Sequence, residues 1–119
     1  MECCGAFIQG NQHAPTPEAL MRSRYSAFVE NKLNYIKKTM REPALSLFKK
    51  SRNNDEIQWI GLEVIAAPAP TLNPNNLNVG FVEFKAHYQK EGVSHCIHEN
   101  SEFHHIDGRW YYVDGTHFD

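Results

Sequence analysis

Hydrophobic positions change their spacing near the middle of the chain. In the first half they recur every three or four residues, and in the second half they alternate. Helix punctuation opens the first half at Thr16-Pro17-Glu18: an N-cap hydroxyl, a proline at the first helical position and an acid in the first turn. Met21, Tyr25 and Phe28 follow on one face, with Leu20 and Ala27 beside them, and predict a helix through ALMRSRYSAFVENKL. A second short helix is predicted from Leu33 to Met40, with Leu33, Tyr35 and Ile36 apolar and Lys37 and Lys38 near its end. Pro43 starts a third in PALSLFKKS, which closes on lysines.

After Asn53-Asn54-Asp55 the pattern becomes that of strands. IQWIGLEVIAAP alternates at Ile60, Leu62 and Val64, and PAPTLNPNN is a loop. In NVGFVEFKAHYQK, Val82, Phe84, Ala86 and Tyr88 share one face, with Glu83, Lys85 and His87 on the other. Glu91-Gly92 turns the chain into VSHCIHENSEFHHI, where Ile97, Glu99, Ser101 and Phe103 share a face. Asp107-Gly108 is a tight-turn signal leading to RWYYVD. Helices first and hairpin-linked strands afterwards predict an α+β domain, its N-terminal helices packed on a curved antiparallel sheet.

Length and composition narrow the picture further. A chain of 119 residues is one domain and needs neither disulfide nor metal to fold. A net charge of −2 gives no basic field for nucleic acid. Three cysteines do not make a disulfide framework, and no apolar run reaches membrane-span length, which places the chain in a reducing cytoplasm. Residues 1–15 read as a loop and 16–119 as the domain.

LMRSRYSAFV (20–29), Asn34-Tyr35-Ile36 with Thr39, VEFKAHY (82–88), HENSEF (98–103) and GRWYYVDG (108–115) stand in one order along the chain. In that order they resemble the YchJ-like family of small bacterial proteins. The resemblance implies a fold like nuclear transport factor two, a cone-shaped sheet wrapped around N-terminal helices. It also implies flanking SEC-C motifs, small zinc-binding modules that mediate protein contacts in the SecA translocation motor. Cys3-Cys4-Gly5 then reads as the remnant of such a module, its leading Cys-x-Cys half absent. No activity comes with the resemblance.

Candidate chemistry follows from burial. Structural zinc takes four ligands; Cys3 and Cys4 are an incomplete site, so zinc is expected only if further ligands are supplied, with Cys96, His13 and His117 conceivable. His95, His98, His104 and His105 lack compact ligand spacing, and His98 and His104 are expected on the outer, solvated face. Glu99 and Ser101 are more informative, because they fall on a core face where a carboxylate needs a partner. Arg22 or Arg24 of the first helix is the expected partner, preferably Arg24. Read functionally, Arg24, Tyr25, Glu99, Ser101, Phe103, Trp110 and Tyr112 line an aromatic pocket, with Glu99 its candidate acid or base. Tyr111, of opposite parity, is a candidate dimer contact. The preferred expectation is a non-catalytic binding domain for a small molecule or protein partner. A small-molecule enzyme of isomerase or hydrolase type using Glu99 and a homodimeric scaffold are the alternatives.

Overall fold

The computed structural model describes residues 14–46 and 57–118. Helix α1 spans Pro17–Val29, and its start follows the predicted punctuation: Thr16 Oγ1 accepts from the amide of Ala19 at 3.0 Å. Leu20, Met21, Arg24 and Ala27 face inward, while Glu18 and Arg22 pair on the exposed side at 2.9 Å. Asn31, in the left-handed region at φ 59°, turns the chain into α2 (Leu33–Lys38). This helix stops before Met40 because Thr39 and Arg41 turn their backbones to the sheet: the amide of Tyr112 donates to Thr39 O at 2.8 Å, and the amide of Arg41 to Tyr112 O at 2.9 Å. Ser23 Oγ and Tyr35 Oη, 2.6 Å apart, fasten α1 to α2. Of the third predicted helix, residues 44–46 are helical and 47–51 lie outside the described residues.

The strands are β1 (Gln58–Ala66), β2 (Thr71–Leu72), β3 (Asn78–Lys90), β4 (Val93–Ile106) and β5 (Arg109–His117). They form one antiparallel sheet in the order β1-β3-β4-β5, with β2 beside the start of β3. Both long hairpins turn at the predicted positions. Glu91-Gly92 and Asp107-Gly108 all have positive φ, the conformation a two-residue turn between right-twisted strands requires.

One face of the sheet carries Val82, Phe84, Ala86 and Phe103, which pack with Leu20, Met21, Ala27 and Ile36 into the core. Gly80 lets the helix start lie against the sheet: a Cβ there would stand 3.2 Å from Pro17 Cβ. The architecture is therefore helices on one face of an antiparallel sheet.

Register irregularities at three places, two in β1 (between Trp59 and Gly61 and between Val64 and Ala66) and one in β5, interrupt the alternation of inward and outward residues. In β1 the register shifts between Trp59 and Gly61, so Trp59 opposes Tyr88 and Leu62 opposes Ala86. Ile60, expected in the apolar alternation, is the extra residue and is 49% exposed; Trp59 takes the inward place. In β5 the register shifts opposite Glu102 and Phe103, leaving Val113 over. Tyr112 therefore opposes Phe103, while Gly115 opposes Ser101 and His117 opposes Glu99.

Candidate functional site

The inward residues of β1, β3, β4 and β5 and the facing side of α1, with Met40, Ala44 and Ile57, line an open-sided cavity of about 500 Å³. Met21, Phe28, Trp59, Phe84, Ile97 and Phe103 give it apolar walls. Trp59 is the hub of its aromatic part, with ring centroids 5.8 Å from Tyr25, 6.0 Å from Phe28 and 5.4 Å from Tyr88. Burial raises the Tyr25 phenol above its ordinary pKa, against a lowering contact with the backbone of Gly61.

Polar groups enter this wall chiefly around Glu99, which is 7% exposed. Its carboxylate is satisfied from three sides. Ser101 Oγ and Tyr112 Oη donate to Oε2, the latter at 3.0 Å, and His117 Nε2 donates to Oε1 at 2.7 Å. Ser101 lies two residues along β4 and Tyr112 stands on β5 opposite Phe103, whereas the His117 side chain, though paired opposite Glu99, is 68% exposed at the end of β5. Burial first, and then the charge and hydrogen bond of Glu99, push the Tyr112 phenol far above its ordinary pKa. It stays protonated and donates to the carboxylate.

Arg24 does not close on Glu99. Its Nη1 donates to Ile36 O at 2.8 Å and to Thr39 Oγ1 at 2.7 Å, and its guanidinium lies 4.8 Å from the centre of the Tyr112 ring. Thr39 Oγ1 is oriented in turn by Tyr35 O and Ile36 O. Burial lowers the guanidinium to about 10, with Tyr112, Tyr35 and, least, Glu99 pulling it back up, so it is charged at neutral pH. Among the described residues no carboxylate forms an ion pair with it. The other expected partner, Arg22, is taken by Glu18. The helix–sheet pairing read from burial alone thus gives way to a network in which Tyr112 mediates, its hydroxyl on Glu99 and its ring beneath Arg24.

Of the residues expected around one pocket, Arg24, Tyr25, Glu99, Ser101, Phe103 and Tyr112 line the cavity and Trp110 does not. Trp110 opposes His105, its ring 4.8 Å from that imidazole, and its indole N–H donates to Pro15 O at 3.3 Å. It seals the helix start instead. Tyr111 is 8% exposed, with the Arg41 guanidinium 3.8 Å from its ring centre, so its side chain is covered within its own chain.

On the outer face, His98 and His104 are not simply solvated. Each lies 2.7 Å from a carboxylate, Glu83 and Glu102 respectively. His117, named from the sequence only as a conceivable further zinc ligand, is in β5 and at the site. Cys3, Cys4 and His13 lie outside the described residues, and among the described residues no group of three or more His, Cys, Asp or Glu is placed to hold a metal.

Replacing Glu99 by glutamine keeps the shape of this network and removes its charge. A hydrogen bond to a charged acceptor is worth about 1.5–3 kcal/mol and a neutral one about 1 kcal/mol, and the bonds from Ser101 and Tyr112 are weakened. Relief of carboxylate desolvation offsets part of that loss. Glu99→Gln is expected to fold and to lose about 1–2 kcal/mol, read by chemical denaturation; an unchanged midpoint would mean that the carboxylate is not anchored as described.

Comparison with known proteins places this geometry in a family. A family model described as the YchJ middle, NTF2-like domain matches residues 16–115. A UPF0225 protein of Vibrio vulnificus (strain YJ016) is 38% identical over 116 residues, which are 96% of this chain and 67% of the relative. One of Vibrio parahaemolyticus is 40% identical over 118 residues, 97% of this chain and 68% of the relative. The solution structure of a SEC-C motif containing protein from Rhodopseudomonas palustris superposes with a TM-score of 0.80 at 29% identity, covering 99% of this chain and 91% of that one. The crystal structure of a SEC-C motif containing protein from Psychrobacter arcticus gives 0.73 at 34% identity, covering 99% and 72%. Among the described residues no helix is long and apolar enough to cross a membrane. The chain belongs to the YchJ (UPF0225) family and carries that family's middle, NTF2-like domain at residues 16–115.

Proposed function

We propose that this is a small-molecule binding domain whose ligand sits between α1 and the inner face of the sheet. The observation that carries the reading is the cavity of about 500 Å³, mostly apolar and aromatic, into which a few polar groups converge. Ligand sites of roughly 300–1,000 Å³ have this composition: apolar wall for affinity, few polar groups for orientation. A metabolite screen by thermal shift tests it. A ligand at about 100 times its Kd adds about 2.7 kcal/mol, on the order of ten degrees for a domain this size. Ile97→Trp, which extends an indole into the cavity, is expected to keep a cooperative melt and abolish every such shift. Shifts that survive in Ile97→Trp place binding elsewhere and sink the reading.

A second reading, proton-transfer catalysis by Glu99, draws on one specific feature. The carboxylate borders the same cavity with a histidine rather than an arginine as its exposed partner. It ranks second because Ser101, Tyr112 and His117 already occupy most of the acceptor capacity a base would use. Glu99→Gln separates the two, since ligand shifts survive it under the binding reading and turnover does not under the catalytic one.

A further inference from the structure

We infer that the ligand of this cavity carries a carboxylate that pairs with the guanidinium of Arg24, on an otherwise apolar or aromatic body. The inference rests on the binding reading above and narrows it to a chemical class. Its starting point is a mismatch between the charge on Arg24 and its surroundings. The side chain is 7% exposed and charged, yet its hydrogen-bond partners are a backbone carbonyl and a hydroxyl, both reached through Nη1. Among the described residues Nε and Nη2 have no acceptor, and the residue lines the cavity. A buried cation with no ionic partner is costly. The planar fork of a guanidinium is matched by a carboxylate, through two parallel charge-assisted hydrogen bonds.

The mount of Arg24 is suited to that task. Thr39 and Ile36 hold one nitrogen, and the Tyr112 ring lies against the guanidinium. The fork is thereby fixed before a ligand arrives, which reduces the entropy lost on binding. Glu99 is not the missing counter-ion. Its oxygens are taken by Ser101, Tyr112 and His117, and no ion pair joins it to Arg24. Asp114, which also borders the cavity, is exposed and screened by water. An amine would have to displace a donor from Glu99, and an alcohol would leave the guanidinium without counter-charge. For the body of the ligand, Trp59, Phe28 and Met21 offer an aromatic and thioether surface.

Three ligands with one body and three head groups test this on the full chain: 3-phenylpropionate, 3-phenylpropan-1-ol and 3-phenylpropylamine. Affinity is read by titration, and location from NMR shifts of the Trp59 indole and the Met21 methyl. The carboxylate is expected to bind roughly tenfold or more tightly than the alcohol, and the amine most weakly. Arg24→Lys keeps a positive charge and loses the fork; it is expected to erase most of the carboxylate preference and leave alcohol binding in place, with folding checked by the NMR spectrum. The wild-type series stands without that variant if the substitution unfolds the domain. Alcohol or amine binding as tight as the carboxylate, with shifts at Trp59 and Met21, overturns the carboxylate assignment and leaves the pocket reading intact. An undiminished preference in folded Arg24→Lys also overturns it. No shift from any of the three overturns it as well, and the pocket reading is then decided by whether screened ligands lose their effect in Ile97→Trp.

Discussion

Truncating Phe103 to alanine is expected to cost the domain roughly 3–5 kcal/mol, a large share of the 5–15 kcal/mol that holds a domain of this kind together. Phe103 is 1% exposed and stands where three parts of the structure meet. It opposes Gly80 on β3 and Tyr112 on β5, its ring 5.8 Å from the tyrosine ring, and it borders the cavity. Transfer of the ring out of water supplies about 1.5–3 kcal/mol of its contribution. The remainder comes from lost contacts, because Gly80 has no side chain to move into the gap. Since the ring already faces open volume, alanine enlarges an existing space rather than opening a sealed one, which places the loss toward the lower end. Urea denaturation reads it directly, with a fall in melting temperature on the order of 15 °C in parallel. A loss below about 1 kcal/mol would mean that the ring does not close the core at this crossing.

Much of this was legible from alternation and punctuation. Thr16-Pro17-Glu18 set the start of α1, and Glu91-Gly92 and Asp107-Gly108 fixed both hairpins, because left-handed residue pairs have few other uses. Once the hairpins were fixed, strand parity put Glu99, Ser101 and Phe103 on the inner face together. A carboxylate on a core face is a strong signal, since its burial demands donors. The identity of the donors was not legible. Arginine is the residue that charge logic nominates. What decides the outcome is that Thr39 and Ile36 hold Arg24 back while Tyr112 reaches Glu99. Those are tertiary distances between elements, with no trace in local spacing.

Parity itself failed at register irregularities in β1 and β5. One extra residue in β1 sends Ile60 outward and Trp59 inward, and one in β5 brings Gly115 and His117 beside Glu99. A period-two reading carried through either point inverts every later assignment. The sequence did offer a marker in each case, because Gly61 and Gly115 interrupt strands otherwise rich in bulky residues, and a strand glycine points to a bulge or a close approach. The two glycines differ in which of these they serve, and that difference is measurable.

Gly115→Val is expected to destabilise the domain by about 3 kcal/mol, whereas Gly61→Val is expected to be neutral or slightly stabilising. Neither glycine has a positive φ, so the backbone accepts a side chain at both. Valine suits a strand and restricts the unfolded chain, which favours the substitution by about 0.5–1 kcal/mol at either position. At Gly61 little opposes that gain, since an added Cβ would meet only His87 Cδ2, at 4.0 Å. At Gly115 the same atom would stand 2.6 Å from Tyr112 Oη and 2.7 Å from Glu99 Cδ. Overpacking of this severity costs about 1–3 kcal/mol. Displacing the carboxylate also strains its bonds from Ser101 and Tyr112, each worth about 1.5–3 kcal/mol. The clash therefore outweighs the propensity, and the sign reverses between the two positions. Denaturation of the paired variants under one set of conditions reads the contrast. Equal effects at the two sites would mean that Gly115 does not hold open the space in which Glu99 meets its donors.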